Sequence, residues 1–171
     1  STACRIIIIG GGGTGAAVLH DLTMRGFDCL LLERGELTSG TTGRHHGQLH
    51  SGARYAVSDP EIARECMQET STLNRIAAES IESNYGLFLA LTDEDAEYAK
   101  RFVEACSEAD IPTRRLTTEE MLRHEPAINP NALFGVLVPD GTIDAYRLPM
   151  QFFATAKAGG ATIRRFCEAI G

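Results

Sequence analysis

The chain has 171 residues, with 16 Lys and Arg against 23 Asp and Glu, so its formal net charge is −7. No basic cluster offsets that balance, which excludes a nucleic-acid footprint. With 43% apolar and 23% charged residues it is globular rather than disordered, and long enough to bury a core and form about one domain. Its apolar runs are too short for a membrane helix, and the start enters a strand instead of a signal peptide. The five cysteines, Cys4, Cys29, Cys66, Cys106 and Cys167, have no C-x-x-C spacing. They read as buried reduced thiols of a cytosolic protein, not as a metal site.

Cys4-Arg5-Ile6-Ile7-Ile8-Ile9 reads as a strand buried on both faces, because four branched apolar residues follow one another. Gly10-Gly11-Gly12-Gly13-Thr14-Gly15 comes next, and a helical stretch follows over 16–25. Gly10, Gly12 and Gly15 fit G-x-G-x-x-G. The first glycine permits a tight turn, the second lets backbone approach a pyrophosphate, and the third lets helix and strand pack closely. Phosphates would sit at the helix N-terminus, where free N–H groups and the helix dipole favour negative charge. A second strand over 29–32 ends at Glu33, which suits acceptance of a hydrogen bond from a ribose 2′-OH. Glycine runs at helix entries also serve packing alone. It is the order strand, turn, helix, strand and terminal acid that points to a dinucleotide.

A loop over 35–54 carries no period, and such a length inside a domain is expected to be functional. Ser58-Asp59-Pro60-Glu61 then starts a helix, either by a capping box from Ser58 to Glu61 or with Asp59 as cap and Pro60 first. Ile62, Cys66, Thr70, Leu73, Ala77 and Ile81 form its expected buried stripe, widened by Met67 and Ile76. Residues 86–91 read as a strand, and Thr92 caps a helix to about residue 109. Thr117 and Glu120 form a capping box for a short helix that Pro126 ends. Residues 133–138 are strand-like, Asp140-Gly141 makes a turn into 142–145, a helix over 149–158 stops at Gly159-Gly160, and 162–167 is a further strand. The expected architecture is α/β: a Rossmann-like dinucleotide-binding domain with a parallel βαβ sheet, plus part of an inserted antiparallel α+β region. Its expected segments are 1–85, an inserted region over 86–146, and a return to the nucleotide-binding sheet over 147–171.

The loop discriminates between nicotinamide and flavin. Its hydroxyls, histidines and glycines, from Thr38 to Tyr55, suit a path along a ribityl chain towards a flat ring, with Gly47 and Gly52 allowing close backbone approach. The stretch Gly40-Thr41-Thr42-Gly43-Arg44-His45-His46-Gly47-Gln48-Leu49-His50-Ser51-Gly52-Ala53-Arg54-Tyr55-Ala56-Val57 resembles the FAD subunits of glycerol-3-phosphate dehydrogenases of the anaerobic type. These fall within the wider D-amino-acid-oxidase-like flavoprotein family. The likeness continues through residues 59–69, Asn84-Tyr85-Gly86-Leu87-Phe88, Glu125-Pro126-Ala127-Ile128-Asn129-Pro130 and Val138-Pro139-Asp140-Gly141-Thr142-Ile143-Asp144. Ser51 departs from the His-Gly-Gly-x-Arg-Tyr of the aerobic enzymes. Arg54-Tyr55 is absent from the related loop of L-2-hydroxyglutarate oxidases.

The resemblance implies oxidation of sn-glycerol 3-phosphate to dihydroxyacetone phosphate, with hydride passing to flavin. The expected cofactor contacts are Gly10, Gly12, Thr14, Gly15, Glu33, Arg34, Thr41, Thr42, Gly43, His45, His46, Gly47, Leu49, Ser51 and Gly52. The expected catalytic set is His50, Arg54 and Tyr55. A guanidinium suits a dianionic phosphate, although Arg54 in a structural salt bridge is the competing reading. Histidine as a residue type suits proton transfer near neutrality, which makes His50 the local candidate base. Tyr55 is expected either to donate to substrate or to pack in the core. Covalent flavin is not expected, since the attachment position holds Arg44, and His20 and His124 are expected to do no chemistry. The resemblance also implies a longer enzyme whose partner subunits relay electrons to membrane quinone. This chain is then an N-terminal portion, cytoplasmic and peripheral to the inner membrane. Alone it would bind FAD weakly without turnover, and its exposed edges would favour dimerisation. Two rivals remain: an L-2-hydroxyglutarate-like hydroxy-acid oxidase, and a non-catalytic nucleotide-binding module.

Overall fold

The computed structural model describes residues 5–170; Cys4 lies outside them. In chain order the elements are β1 (Ile6–Ile9), α1 (Gly13–Met24), β2 (Cys29–Leu32), β3 (Gln48–Leu49), α2 (Pro60–Ile76), β4 (Ile81–Glu82) and β5 (Gly86–Ala90). There follow α3 (Asp93–Glu108), β6 (Arg114–Thr117), α4 (Thr118–His124), β7 (Phe134–Val138), β8 (Gly141–Ile143), α5 (Arg147–Ala158) and β9 (Thr162–Arg164). The described residues form two compact units, one of residues 5–47 with 144–170 and one of 48–143. These boundaries fall at 47/48 and 143/144, against the 85/86 and 146/147 expected from sequence. The reason is that β3 pairs with β8 and α2 packs beside α3.

The first unit is a parallel sheet in the order β1-β2-β9, with Ile6 opposite Cys29, Ile8 opposite Leu31, and Leu31 opposite Ile163. Helix α1 buries Ala16, Leu19 and Thr23, and α5 buries Phe152, Phe153 and Ala156 and packs along α1. His20 lies 4.8 Å from the Phe152 ring, a packing role. The expectation that β1 is buried on both faces is corrected: Ile7 is 57% and Ile9 73% exposed. Ile6 and Ile8 share their face with Cys29 and Leu31, against which α1 lies, and within this unit the opposite face has no comparable cover. Strand β9 also ends sooner than expected. The chain turns at Phe166 (φ 54°), from where the Cys167 N–H donates to the Glu33 carbonyl at 2.9 Å.

The second unit holds two antiparallel sheets, β3-β8-β4 and β5-β7-β6. Asp59 caps α2 with Pro60 first in the helix. Thr92 with Asp95 and Thr117 with Glu120 form complete capping boxes on α3 and α4. The core joins Phe102, Cys106 and Ile111 to Phe134, Val136 and Val138, with Ala53, Ala56 and, on α2, Ala63. A smaller cluster joins Leu116, Met121 and Ala132.

Three expectations change here. Helix α2 stops at Ile76, so Ile81 lies on β4, and Ile62 and Ile76 are exposed. Thr70 and Ala77 are buried as expected, and Ala63 joins them because the backbone at Gly52 comes close to that side and demands a small residue. Asp140-Gly141 is not the expected turn, since Gly141 already lies in β8: β7 pairs with β5 and β6, whereas β8 pairs with β3 and β4, so the chain passes between sheets. Strand β6 was not foreseen, since of Arg114, Arg115, Leu116 and Thr117 only Leu116 is buried. No helix among the described residues is long and apolar enough to cross a membrane.

Candidate functional site

Each unit holds one constellation. In the first, Gly10 takes φ 105° and its N–H donates to the Leu32 carbonyl at 2.8 Å, so the turn leaves β1 tied to the end of β2. Gly12 caps α1 without a side-chain bond. A Cβ on Gly12 would stand 3.0 Å from Thr42 Oγ1, and one on Gly15 would collide with the Gly10 carbonyl oxygen. The cradle is therefore one that only glycine leaves open.

The loop after β2 folds back onto that turn. Thr38, buried at φ 63°, donates its N–H to the Gly11 carbonyl at 2.9 Å, and Gly43 donates to Thr38 at 3.1 Å. Thr42 Oγ1 accepts the Gly13 N–H at 2.8 Å. The hydroxyl keeps its own proton to donate, so Thr42 brings a donor to the first turn of α1, where the dipole favours a phosphate oxygen. Glu33 Oε2 accepts the Gly11 N–H at 2.6 Å and Oε1 accepts the Gly35 N–H at 2.7 Å. Those bonds, Gly11 first and Gly35 next, hold its carboxyl below the usual range against an opposing burial effect. Lone pairs remain on both oxygens for a ribose hydroxyl. The donors, the cradle and the acid fit the adenosine diphosphate half of FAD.

Because the folded pKa of Glu33 lies below its unfolded value, its stabilisation is present above the ordinary carboxylate range. It is lost as pH falls through the folded pKa. Glu33→Gln is accordingly expected to melt lower than wild type near neutrality, with the difference closing in acid. Melting curves of both proteins across that interval test this, and a constant gap would refute it.

In the second unit, Gln48 pairs with Thr142 and Leu49 with Gly141. The same antiparallel register carried one residue further brings position 50 level with position 140. His50 Nδ1 lies 3.0 Å from Asp140 Oδ2. Asp140 Oδ1 accepts both the Ser51 N–H at 2.8 Å and the Ser51 hydroxyl at 2.6 Å. Ser51 is fully buried, and the side chains of His50 and Asp140 are 29% and 16% exposed. Thr70 on α2 donates its hydroxyl to the His50 carbonyl at 3.1 Å. Gly86 makes room: a Cβ there would stand 3.0 Å from the Asp140 carboxylate. Burial, and secondarily the Asp140 charge, push the Cys106 thiol up to about 11, so it is an inert core residue.

The structure thus brings His50 and Ser51 together on Asp140, an acid that sequence reasoning had taken for a turn residue. No spacing links positions ninety apart, so only the β3–β8 register reveals it. Thr38 was missed likewise. Leu49 lies in β3, and Gly52 packs against Ala63 and Cys66 of α2. Arg54 and Tyr55 stand exposed on a 3-10 turn over 53–55, the guanidinium 5.3 Å from the Tyr55 ring centroid. Tyr55 is 37% exposed, against the core-packing alternative, and no ion pair to Arg54 is present among the described residues. Thr41, Thr42, Gly43 and Arg44 form a single 3-10 turn. His45 Nδ1 accepts the Gly47 N–H at 2.8 Å, with the His46 ring edge-on at 6.1 Å. Thr14 and Arg34 are exposed on α1 and just after Glu33. No group of three His, Cys, Asp or Glu among the described residues is placed to hold a metal.

A parallel sheet, a glycine-rich turn into a helix and an acid closing the second strand define a dinucleotide-binding protein of the α/β class. Residues 5–171 match the FAD dependent oxidoreductase (DAO) family, and the chain belongs to it. It is 43% identical over 168 residues to a protein of Haemophilus influenzae named as a subunit of anaerobic glycerol-3-phosphate dehydrogenase, covering 98% of this chain and 30% of that protein. It is 44% identical over 171 residues to the protein of that name from Escherichia coli K12, covering all of this chain and 32% of the other. The crystal structure of L-proline dehydrogenase from P. horikoshii superposes with a TM-score of 0.87 at 26% identity, covering 98% of this chain and 45% of that one. The chain spans about a third of the length of the curated relatives it matches.

Proposed function

We propose that the protein carrying these residues oxidises sn-glycerol 3-phosphate to dihydroxyacetone phosphate with FAD, and passes the electrons through partner subunits to a membrane quinone. The observation that carries this reading is the 43–44% identity, along nearly the whole chain, to proteins named as one subunit of the anaerobic glycerol-3-phosphate dehydrogenase. FAD, when bound, supplies the hydride acceptor. The chain's own residues do the rest. Thr42, held by the Gly13 N–H, donates its hydroxyl to a pyrophosphate oxygen, and Glu33 accepts from the ribose. Arg54, exposed and with no carboxylate partner among the described residues, pairs with the substrate phosphate. His50 takes the proton of the substrate hydroxyl at Nε2. The relatives' names, which make each of them one part of a larger enzyme, support the partner relay, with the protein held at the membrane by its partners.

With FAD loaded and oxygen excluded, visible flavin absorbance is expected to bleach on adding sn-glycerol 3-phosphate and to persist with glycerol or L-2-hydroxyglutarate. Bleaching by the hydroxy acid alone overturns the substrate, and bleaching by neither overturns the reading. Arg54→Ala is expected to raise the half-saturating sn-glycerol 3-phosphate concentration by roughly 10- to 100-fold, the worth of a charged hydrogen bond. The limiting rate should change far less, as for a group that binds ground and transition states alike.

A further inference from the structure

We propose that Asp140 is the positioning residue for His50, setting which ring nitrogen carries the proton and which is left to act as the base. The proposal rests on the proposed function for the identity of the reaction, but not for the geometry. A carboxylate only accepts hydrogen bonds, so at 3.0 Å from Oδ2 the Nδ1 of neutral His50 carries the hydrogen. The lone pair then lies on Nε2. When Nε2 takes the hydroxyl proton of the substrate, the O–H bond breaks and its electron pair stays on oxygen to become part of the new carbonyl. The imidazolium that results faces the Asp140 charge.

A carboxylate serving only as a staple for the loop would need one oxygen, and Asp140 spends one. Its Oδ1 takes both donors of Ser51, the N–H at 2.8 Å and the hydroxyl at 2.6 Å. That pair of bonds fixes the rotation of the carboxylate and leaves Oδ2 turned to the ring. Every surrounding element preserves the arrangement. The β3–β8 register brings the two positions level, Gly86 clears space for the carboxylate, and Thr70 anchors the His50 carbonyl. With its side chain only 16% exposed, Asp140 holds the ring through a bond little weakened by solvent.

The same geometry makes Asp140→Asn a sharp test. The Ser51 N–H can only donate, so the amide oxygen must occupy the Oδ1 place and the NH2 must occupy the Oδ2 place. The NH2 then donates to Nδ1 and drives the His50 proton to Nε2, the nitrogen needed as base. Nitrogen-15 NMR of the histidine ring is expected to show neutral His50 protonated at Nδ1 in wild type and at Nε2 in Asp140→Asn. Reduction of bound FAD by sn-glycerol 3-phosphate is expected to slow by about 100- to 10,000-fold in the variant, the usual contribution of a positioned base. The half-saturating concentration should move by less than about threefold. Added to His50→Gln, the substitution should slow the reaction no further.

A wild-type ring protonated at Nε2 overturns the proposal without recourse to any variant, should Asp140→Asn fail to fold. So does a variant that keeps its proton on Nδ1, or one that slows His50→Gln by the full wild-type factor. The NMR measurement needs neither substrate nor flavin. If sn-glycerol 3-phosphate does not reduce the wild-type protein, the proposed function falls, and the tautomer still decides the role of Asp140.

Discussion

Gly52→Ala is expected to lower stability by about 2–5 kcal/mol, the sum of a left-handed backbone imposed on alanine and an overfilled contact. The loop passes α2 with Gly52 at φ 94°, and the added methyl would stand 2.5 Å from the Ala63 carbonyl oxygen and 2.7 Å from Cys66 Cβ. Neither neighbour is the far end of a flexible side chain, so relief requires α2 or the loop to move. Movement there would disturb its neighbours Ser51 and His50, both held by Asp140. Thermal denaturation is expected to fall by roughly 10 °C, and the His50–Asp140 hydrogen bond should weaken in parallel. A midpoint unchanged from wild type would show that α2 slides aside freely, and would remove the packing explanation for this glycine.

That contact also explains which parts of the molecule were legible in sequence. The turn from β1 through Gly15 to Glu33 was readable because its chemistry is local: glycines, helix entry and acid follow within about thirty residues, each required for a separate reason. The cap at Thr92 and the capping box at Thr117 were readable on the same ground, since donor and acceptor lie three residues apart. Helical period placed Thr70 on the buried side of α2 but could not set the edges of that face. Ile62 and Ile76 satisfied it and are exposed, whereas Ala63 lies inside because Gly52 comes so close. The run of isoleucines in β1 looked two-sided, yet burial depends on what covers each face, and Ile7 and Ile9 have no such cover. His50 and Ser51 could be picked by residue type. Asp140 could not, because it joins them through strands of two and three residues, too short to show an alternating pattern.

The glycine-rich turn allows a test inside one helix. Gly13→Ala and Gly15→Ala add the same methyl two residues apart, yet opposite outcomes are expected. At Gly13 the methyl finds only Thr42 at 3.6 Å, an ordinary contact, and alanine is the better helix former, so stability should hold or rise by about 0.5–1 kcal/mol. At Gly15 it lands on the backbone oxygen of Gly10, which is tied through its own N–H to Leu32. No rotamer relieves that collision. Helix α1 must lift from β1, at a cost of about 1–3 kcal/mol or more. The functional effect is expected to exceed the stability effect, because lifting α1 turns its first N–H groups away from Thr42 and from any phosphate they receive. Titration with ADP, which probes the cradle without the flavin ring, should therefore show affinity kept in Gly13→Ala and reduced at least about tenfold in Gly15→Ala, the loss of one such bond. Equal affinities in the two variants would mean that the phosphates are held by side chains of the loop and not by the helix that Gly15 seats.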